Sequence, residues 1–269
     1  MTVRQHFSAV LLMALLASCS ARESLSERPS RVLFFGNSVT YVGNLPAVFS
    51  ALCGVSRKRC SAEMIVAGGA TLTDRVSDSS LERALARARF DYLVLQERGG
   101  DVMGSMMNQS EAQERAESAA TMLVQAARKR SIEPVLLGTY QVRPEASKAL
   151  VTAERALARR LGVAYVPVSD YLVCGRQSSS SLRWFDRDGM HPGPELTLMM
   201  ATLLYRELFG SFPSVDQIVV RAPIYAVYSG LSAGEFASDQ PVLPETASSI
   251  TYDADTVRAM IELAQEKCD

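Results

Sequence analysis

Histidine is nearly absent from this chain of 269 residues, which holds two. His6 lies in an apolar amino-terminal stretch that reads as an export signal, so any imidazole chemistry of the mature chain runs through His191. Net charge is nearly absent as well: 28 Lys+Arg stand against 29 Asp+Glu, formally −1. Only Arg4 is charged in the first eighteen residues, so the mature balance stays small and negative. Such a chain has no field to hold polyanions, and no nucleic-acid partner is expected. No Gly-x-x-x-x-Gly-Lys loop and no Gly-x-Gly-x-x-Gly occurs, so nucleotide cofactors have no support. The absence of Cys-x-x-Cys, with one mature histidine, argues against a structural zinc site. Neither a metal nor an organic cofactor is expected. What is present is ordinary for a soluble domain: 48% hydrophobic and 21% charged residues exclude disordered, collagen-like and coiled-coil chains.

The run from Ala9 to Ala17 is apolar but too short to span a bilayer, as in the core of a secretory signal. Leu16-Ala17-Ser18-Cys19 follows it and resembles the bacterial lipobox, in which the signal is cut before a cysteine that receives lipid. The resemblance implies a signal over residues 1–18, a mature start at Cys19 and a lipidated tether over 19–30, rich in Ser, Arg and Glu. It also implies a bacterial envelope location, anchored to a membrane by the N-terminal lipid and facing the periplasm or exterior. The alternative is an ordinary signal cut nearby with Cys19 coincidental. Cys53, Cys60, Cys174 and Cys268 form an even set that suits disulfides in an oxidising compartment. Two pairs allow three connectivities and the sequence does not choose among them, although Cys53 and Cys60 are near enough to close a small loop; four free or buried thiols are the other reading.

Residues 31–269 read as one domain, with a core over 31–209 and a carboxyl-terminal wrap over 210–269. Short apolar runs at 31–35, 62–66, 91–95, 134–138 and 163–166 suit parallel strands buried on both faces. Helices are predicted between and after them at 44–53, 80–89, 111–130, 147–161 and 195–209, the third opening with Ser110 and Gln113 spaced as a capping box. Strand and helix alternating five times imply an open, doubly wound α/β sheet. Residues 210–250 carry Pro213, Pro223, Pro241 and Pro244 and read as an extended wrap with a hairpin or short helices, before a last helix at 253–266 capped by Asp253.

Reactive groups of an open parallel sheet gather at the carboxyl ends of its strands. The first strand ends in Gly36-Asn37-Ser38-Val39-Thr40, where Ser38 can expose its hydroxyl beside the amides of the next helix or simply cap that helix. His191 stands three residues after Asp188, so one turn can let the carboxylate hold one ring nitrogen while the other takes a proton from a serine; a plain loop histidine before Pro192 is the other reading. Gly-x-Ser after the first strand and Asp-x-x-His after the last together resemble the SGNH (GDSL-like) hydrolase family over residues 31–209. The resemblance implies a flavodoxin-like three-layer sandwich with a five-stranded parallel sheet, Ser38 as nucleophile, His191 as general base and Asp188 as its orienting acid. It also implies an oxyanion hole from the amides of Ser38 and Gly69, the latter in Ala67-Gly68-Gly69-Ala70-Thr71. The family's third block is usually Gly-x-Asn-Asp, whereas this chain has Gln96-Glu97-Arg98-Gly99-Gly100-Asp101, leaving Gln96 to supply the side-chain amide. Asn37 stands where the family's name-giving aspartate would be.

Gly230-Leu231-Ser232-Ala233-Gly234 matches the nucleophile elbow of the α/β-hydrolases, but in that fold the histidine follows the serine and none occurs after residue 191. Substrate choice can be shaped by the loop 99–109, with Met103, Met106 and Met107, and by the serine run before Trp184; packing under the loop is the plainer role for the methionines. The function these readings imply is hydrolysis of carboxylic esters, of small-molecule, carbohydrate O-acyl or lipid type, through an acyl-enzyme. An acyltransferase, or a non-catalytic envelope lipoprotein that uses the fold for binding or scaffolding, are the alternatives. Replacing the lipobox cysteine, Cys19→Ala, is expected to abolish incorporation of labelled palmitate and to leave unprocessed or soluble protein, read by metabolic labelling and fractionation.

Overall fold

A computed structural model describes residues 28–56, 58–104, 110–179, 182–227, 232–233, 247–266 and 268. The expected signal, Cys19 and nearly all of the tether lie outside them, as do Met106 and Met107. The first strand, β1 (Ser30–Gly36), is central, and α1 (Ser38–Tyr41) and α2 (Leu45–Val55) follow it. Next come β2 (Cys60–Ala67), α3 (Leu72–Ser77), α4 (Ser80–Arg87), β3 (Tyr92–Leu95), α5 (Gly99–Val102) and α6 (Ser110–Arg128). The core continues through β4 (Glu133–Leu137), α7 (Pro144–Leu161), β5 (Ala164–Val166), α8 (Val168–Ser178) and α9 (Pro194–Phe209). The wrap supplies β6 (Ile218–Val220), β7 (Ser232–Ala233), β8 (Ile250–Tyr252) and α10 (Ala254–Gln265).

The sheet runs β5-β4-β3-β1-β2-β7, with the first five strands parallel and β7 antiparallel on the β2 edge. Alternation along β1 explains its unbroken apolar run, because successive side chains leave opposite faces. Val32 and Phe34 enter a core shared with Met64, Val66, Val94, Val135 and the helices α2, α8 and α9. Leu33 and Phe35 enter a second core with Ile65, Leu93, Leu95, Leu136 and residues of α4, α6 and α7. Helix α9 is apolar on nearly every side because α2 and α10 pack against it in addition to the sheet. The three layers are those of a flavodoxin-like sandwich. Among the described residues no helix is long and apolar enough to cross a membrane.

Several elements differ from the expected ones. The segment 80–89 ends earlier, at Arg87, and a short helix, α3, precedes it. Helices α1, α5 and α8 lack the length or the clean period that marks a helix in sequence. Helix α6 begins at Ser110 itself rather than after it, and Gln113 donates to Glu117 one turn on (2.9 Å). The wrap contains an antiparallel pair, β6 and β8, joined by no tight turn, while Asp253 does accept from the Thr256 amide at the start of α10.

Disulfides join Cys53 to Cys60 and Cys174 to Cys268. The second ties α8 to the chain end across a separation of 94 residues, against 7 for the first. Chain-entropy arguments give the long loop roughly 4–5 kcal/mol and the short one roughly 2–3 kcal/mol at most. Cys174→Ser is therefore expected to lower the denaturation midpoint more than Cys53→Ser, as measured by urea unfolding without reductant.

Candidate active site

The site forms where β1 stops between β2 and β3, the point at which the winding of the sheet reverses. Parallel pairing of Gly36 with Val66 and of Phe35 with Leu95 brings the residues after all three strands to one edge. Asn37 caps α1, its Oδ1 accepting from the Val39 amide at 3.0 Å, and this turns Ser38 up as the first helical residue. Asparagine thus performs at position 37 the capping that an aspartate would, with its Nδ2 buried and unpartnered.

His191 arrives from the opposite end of the chain. Its Nε2 lies 2.9 Å from Ser38 Oγ, and its Nδ1 lies 2.6 Å from Asp188 Oδ2. The structure therefore brings Ser38, His191 and Asp188 into one hydrogen-bonded row. An ionised carboxylate only accepts, so Nδ1 carries the proton and Nε2 is left to accept from the Ser38 hydroxyl. Asp188 Oδ1 also accepts the amides of Met190 and His191, each at 3.0 Å. Partial burial of Asp188 favours its neutral form, but the bonds from the imidazole and the two amides outweigh it and hold the carboxyl below its ordinary range. The turn is fixed from outside by Tyr140, whose hydroxyl donates to the Met190 carbonyl at 2.7 Å and whose ring packs on Phe185. Tyr140 escaped the sequence reading because nothing in Gly138-Thr139-Tyr140 marks a partner fifty residues on. Met190 itself is 65% exposed beside the histidine.

Gly69 occupies the turn after β2 with φ of +69°, a left-handed backbone that favours glycine, and is exposed. Gly68, the residue before it, adjoins Tyr41. Gln96 is directed elsewhere than expected. Its Oε1 accepts from the Thr40 hydroxyl at 2.6 Å and one N–H of its Nε2 donates to the Gly138 carbonyl at 3.2 Å, both inside the sheet end. Thr40 reaches it because Gly36 has no side chain in the way. The next residue, Glu97, is only 2% exposed. Its Oε2 accepts the Leu72 amide (2.9 Å) and its Oε1 the Arg98 amide (2.8 Å), tying α3 to the end of β3. Burial raises its pKa to about 7 against the two amide bonds.

A second buried carboxyl, Glu154, accepts from the Thr139 amide at 2.9 Å and the Tyr165 hydroxyl at 2.8 Å, and burial pushes it up to about 8. Ser232 belongs to the two-residue strand β7 beside Ala67, an antiparallel edge rather than a strand-to-helix elbow. Met103 is buried and Trp184 packs against Gly175 with its Nε1 bonded to the Ser179 carbonyl, so both act in packing. Ser180 and Ser181 lie outside the described residues. Among the described residues the grouping of metal-type ligands is Cys174, Glu266 and Cys268, whose two sulfurs are joined to each other.

No family model matches the chain, and no curated protein matches it either. Solved structures do. A protein of Slackia heliotrinireducens assigned to the SGNH hydrolases is 21% identical, with TM-score 0.54, over 67% of this chain and 99% of that one. A catalytic mutant of an acetylxylan esterase from Geobacillus stearothermophilus is 15% identical, with TM-score 0.53, over 67% and 94%. A DUF4886 family protein from Bacteroides uniformis is 14% identical, with TM-score 0.54, over 88% and 93%. The chain has the SGNH hydrolase fold.

The folded pKa of Glu154 lies above the usual carboxylate value, so the native state keeps a proton that the unfolded chain has lost. Its contribution is full below about pH 4.5 and disappears as pH rises through about 8. Unfolding free energy is expected to fall across that window, and Glu154→Gln to flatten the fall, as measured by urea titration at pH 5, 6.5 and 8.

Proposed function

We propose that this protein is a serine esterase that hydrolyses carboxylic esters through an acyl-enzyme on Ser38. The observation that carries the reading is the pair of contacts at 2.9 and 2.6 Å that link Ser38, His191 and Asp188 across 153 residues of chain. His191 Nε2 takes the hydroxyl proton as Ser38 Oγ bonds to the carbonyl carbon. The imidazolium is balanced by Asp188, and its proton passes to the departing alkoxide as the ester C–O bond breaks. Water then enters, gives a proton to Nε2 and displaces Ser38 Oγ, releasing the acid and restoring the hydroxyl. The amides of Ser38 and Gly69 are the proposed oxyanion donors; Gln96 gives one of its two N–H groups to the Gly138 carbonyl.

Carbohydrate O-acyl esters are the first substrate class to test. The support is the likeness to an acetylxylan esterase, together with the envelope location that the Cys19 motif implies, which is itself a proposal. Hydrolysis of a short-chain nitrophenyl ester is expected to fall by roughly four to six orders of magnitude in Ser38→Ala or in His191→Ala, with the double variant little worse, because the residues act as a unit. Asp188→Asn is expected to lose roughly three to four orders, since an amide can hold the wrong tautomer. Wild-type activity in Ser38→Ala would overturn the assignment.

A further inference from the structure

The two buried carboxyls differ in what they hold. One partner of Glu154 is the Tyr165 hydroxyl, which can turn and accept, so a neutral acid is accommodated there. Both partners of Glu97 are backbone amides, at Leu72 and Arg98, which can only donate. A proton on either Glu97 oxygen turns that oxygen into a hydroxyl, a weaker acceptor than a carboxylate oxygen, and so weakens one of the two bonds. Leu72 opens α3 directly after the turn 67–71, and Thr71 and Asp74 close a capping box at the same point. The Gly68 and Gly69 amides are thus three or four residues from an anchor on β3, while Ser38 stands at the end of the neighbouring β1.

We propose that Glu97 is a positioning residue for the esterase reaction, fastening the turn that carries the Gly68 and Gly69 amides to the end of β3 most tightly in its ionised form. The inference rests on the acyl-enzyme reading of Ser38. The charged groups around Glu97 are Arg98 and Asp101 on its own side and, on α3, Asp74, which adjoins Arg98. Arg98 is held by Asp101 at 2.6 Å, so the cation is not withdrawn when Glu97 titrates. With Glu97 at about 7, acidification weakens one amide bond in the range where imidazoles also protonate.

The test uses Glu97→Gln, whose side chain presents one acceptor and one donor and so imitates the protonated state at every pH. With nitrophenyl acetate as the probe, kcat is expected to fall roughly 10-fold to 100-fold, as for displacement of a reacting geometry by about an ångström, with KM little changed. In the wild type the acid limb of log kcat/KM against pH is expected to steepen toward a two-proton slope, and in Glu97→Gln to keep a one-proton slope. A wild-type kcat, or a two-proton limb retained in the variant, overturns the proposal. Should the variant fail to fold or the wild type prove inert, amide NMR of the wild type decides: the Leu72 and Gly69 resonances are expected to shift together with one midpoint between pH 5 and 9. A Leu72 shift that leaves Gly69 unmoved overturns it. Loss of turnover in Ser38→Ala is read separately, so failure of the esterase reading is distinguished from failure of this inference.

Discussion

Everything at the site depends on β1 being held between β2 and β3 and sealed on both faces. Its register against the two neighbours decides which residues stand together past the strand ends, and a slip of one residue would send Val32 and Phe34 into the opposite core. Because alternate β1 side chains feed two separate cores, such a slip would disrupt both. The serine is therefore presented directly after a strand paired on both sides and buried on both faces, and the histidine is brought to it by a turn fixed through Asp188 and Tyr140. Rigidity of this kind is what proton transfer over a single hydrogen bond requires.

The third block shows how a departure from a family pattern is absorbed. Gln96 has an amide of the right type, but its carbonyl oxygen and one of its two N–H groups are bonded to Thr40 and Gly138 within the sheet end. Glu97 beside it binds the Leu72 amide that opens α3, directly after the turn that follows β2. The oxyanion donors proposed here are accordingly backbone amides, whose placement depends on the turn after β2 and on what ties that turn down.

Much of this was legible in the sequence for definite reasons. Apolar runs such as Val32 to Phe35 announce strands covered on both sides, and the scarcity of histidine leaves His191 as the one histidine among the described residues. What stayed hidden depends on contacts between elements. Helix α3 has six residues and no readable period, so the use of Glu97 as its anchor has no signal in the string of residues. The engagement of Gln96 follows from a close approach across Gly36 that only the folded chain displays. Tyr140 likewise gains its role from a bond to Met190 fifty residues away.

The central claim is that Ser38 alone among the serines is activated, because His191 Nε2 is directed at it. Reaction of the native protein with a fluorophosphonate, followed by peptide mapping, measures this directly. A single adduct on Ser38, prevented when His191 is replaced, is the result the account predicts. An adduct on Ser232, or ester turnover that continues with Ser38 unlabelled under excess reagent, would contradict it.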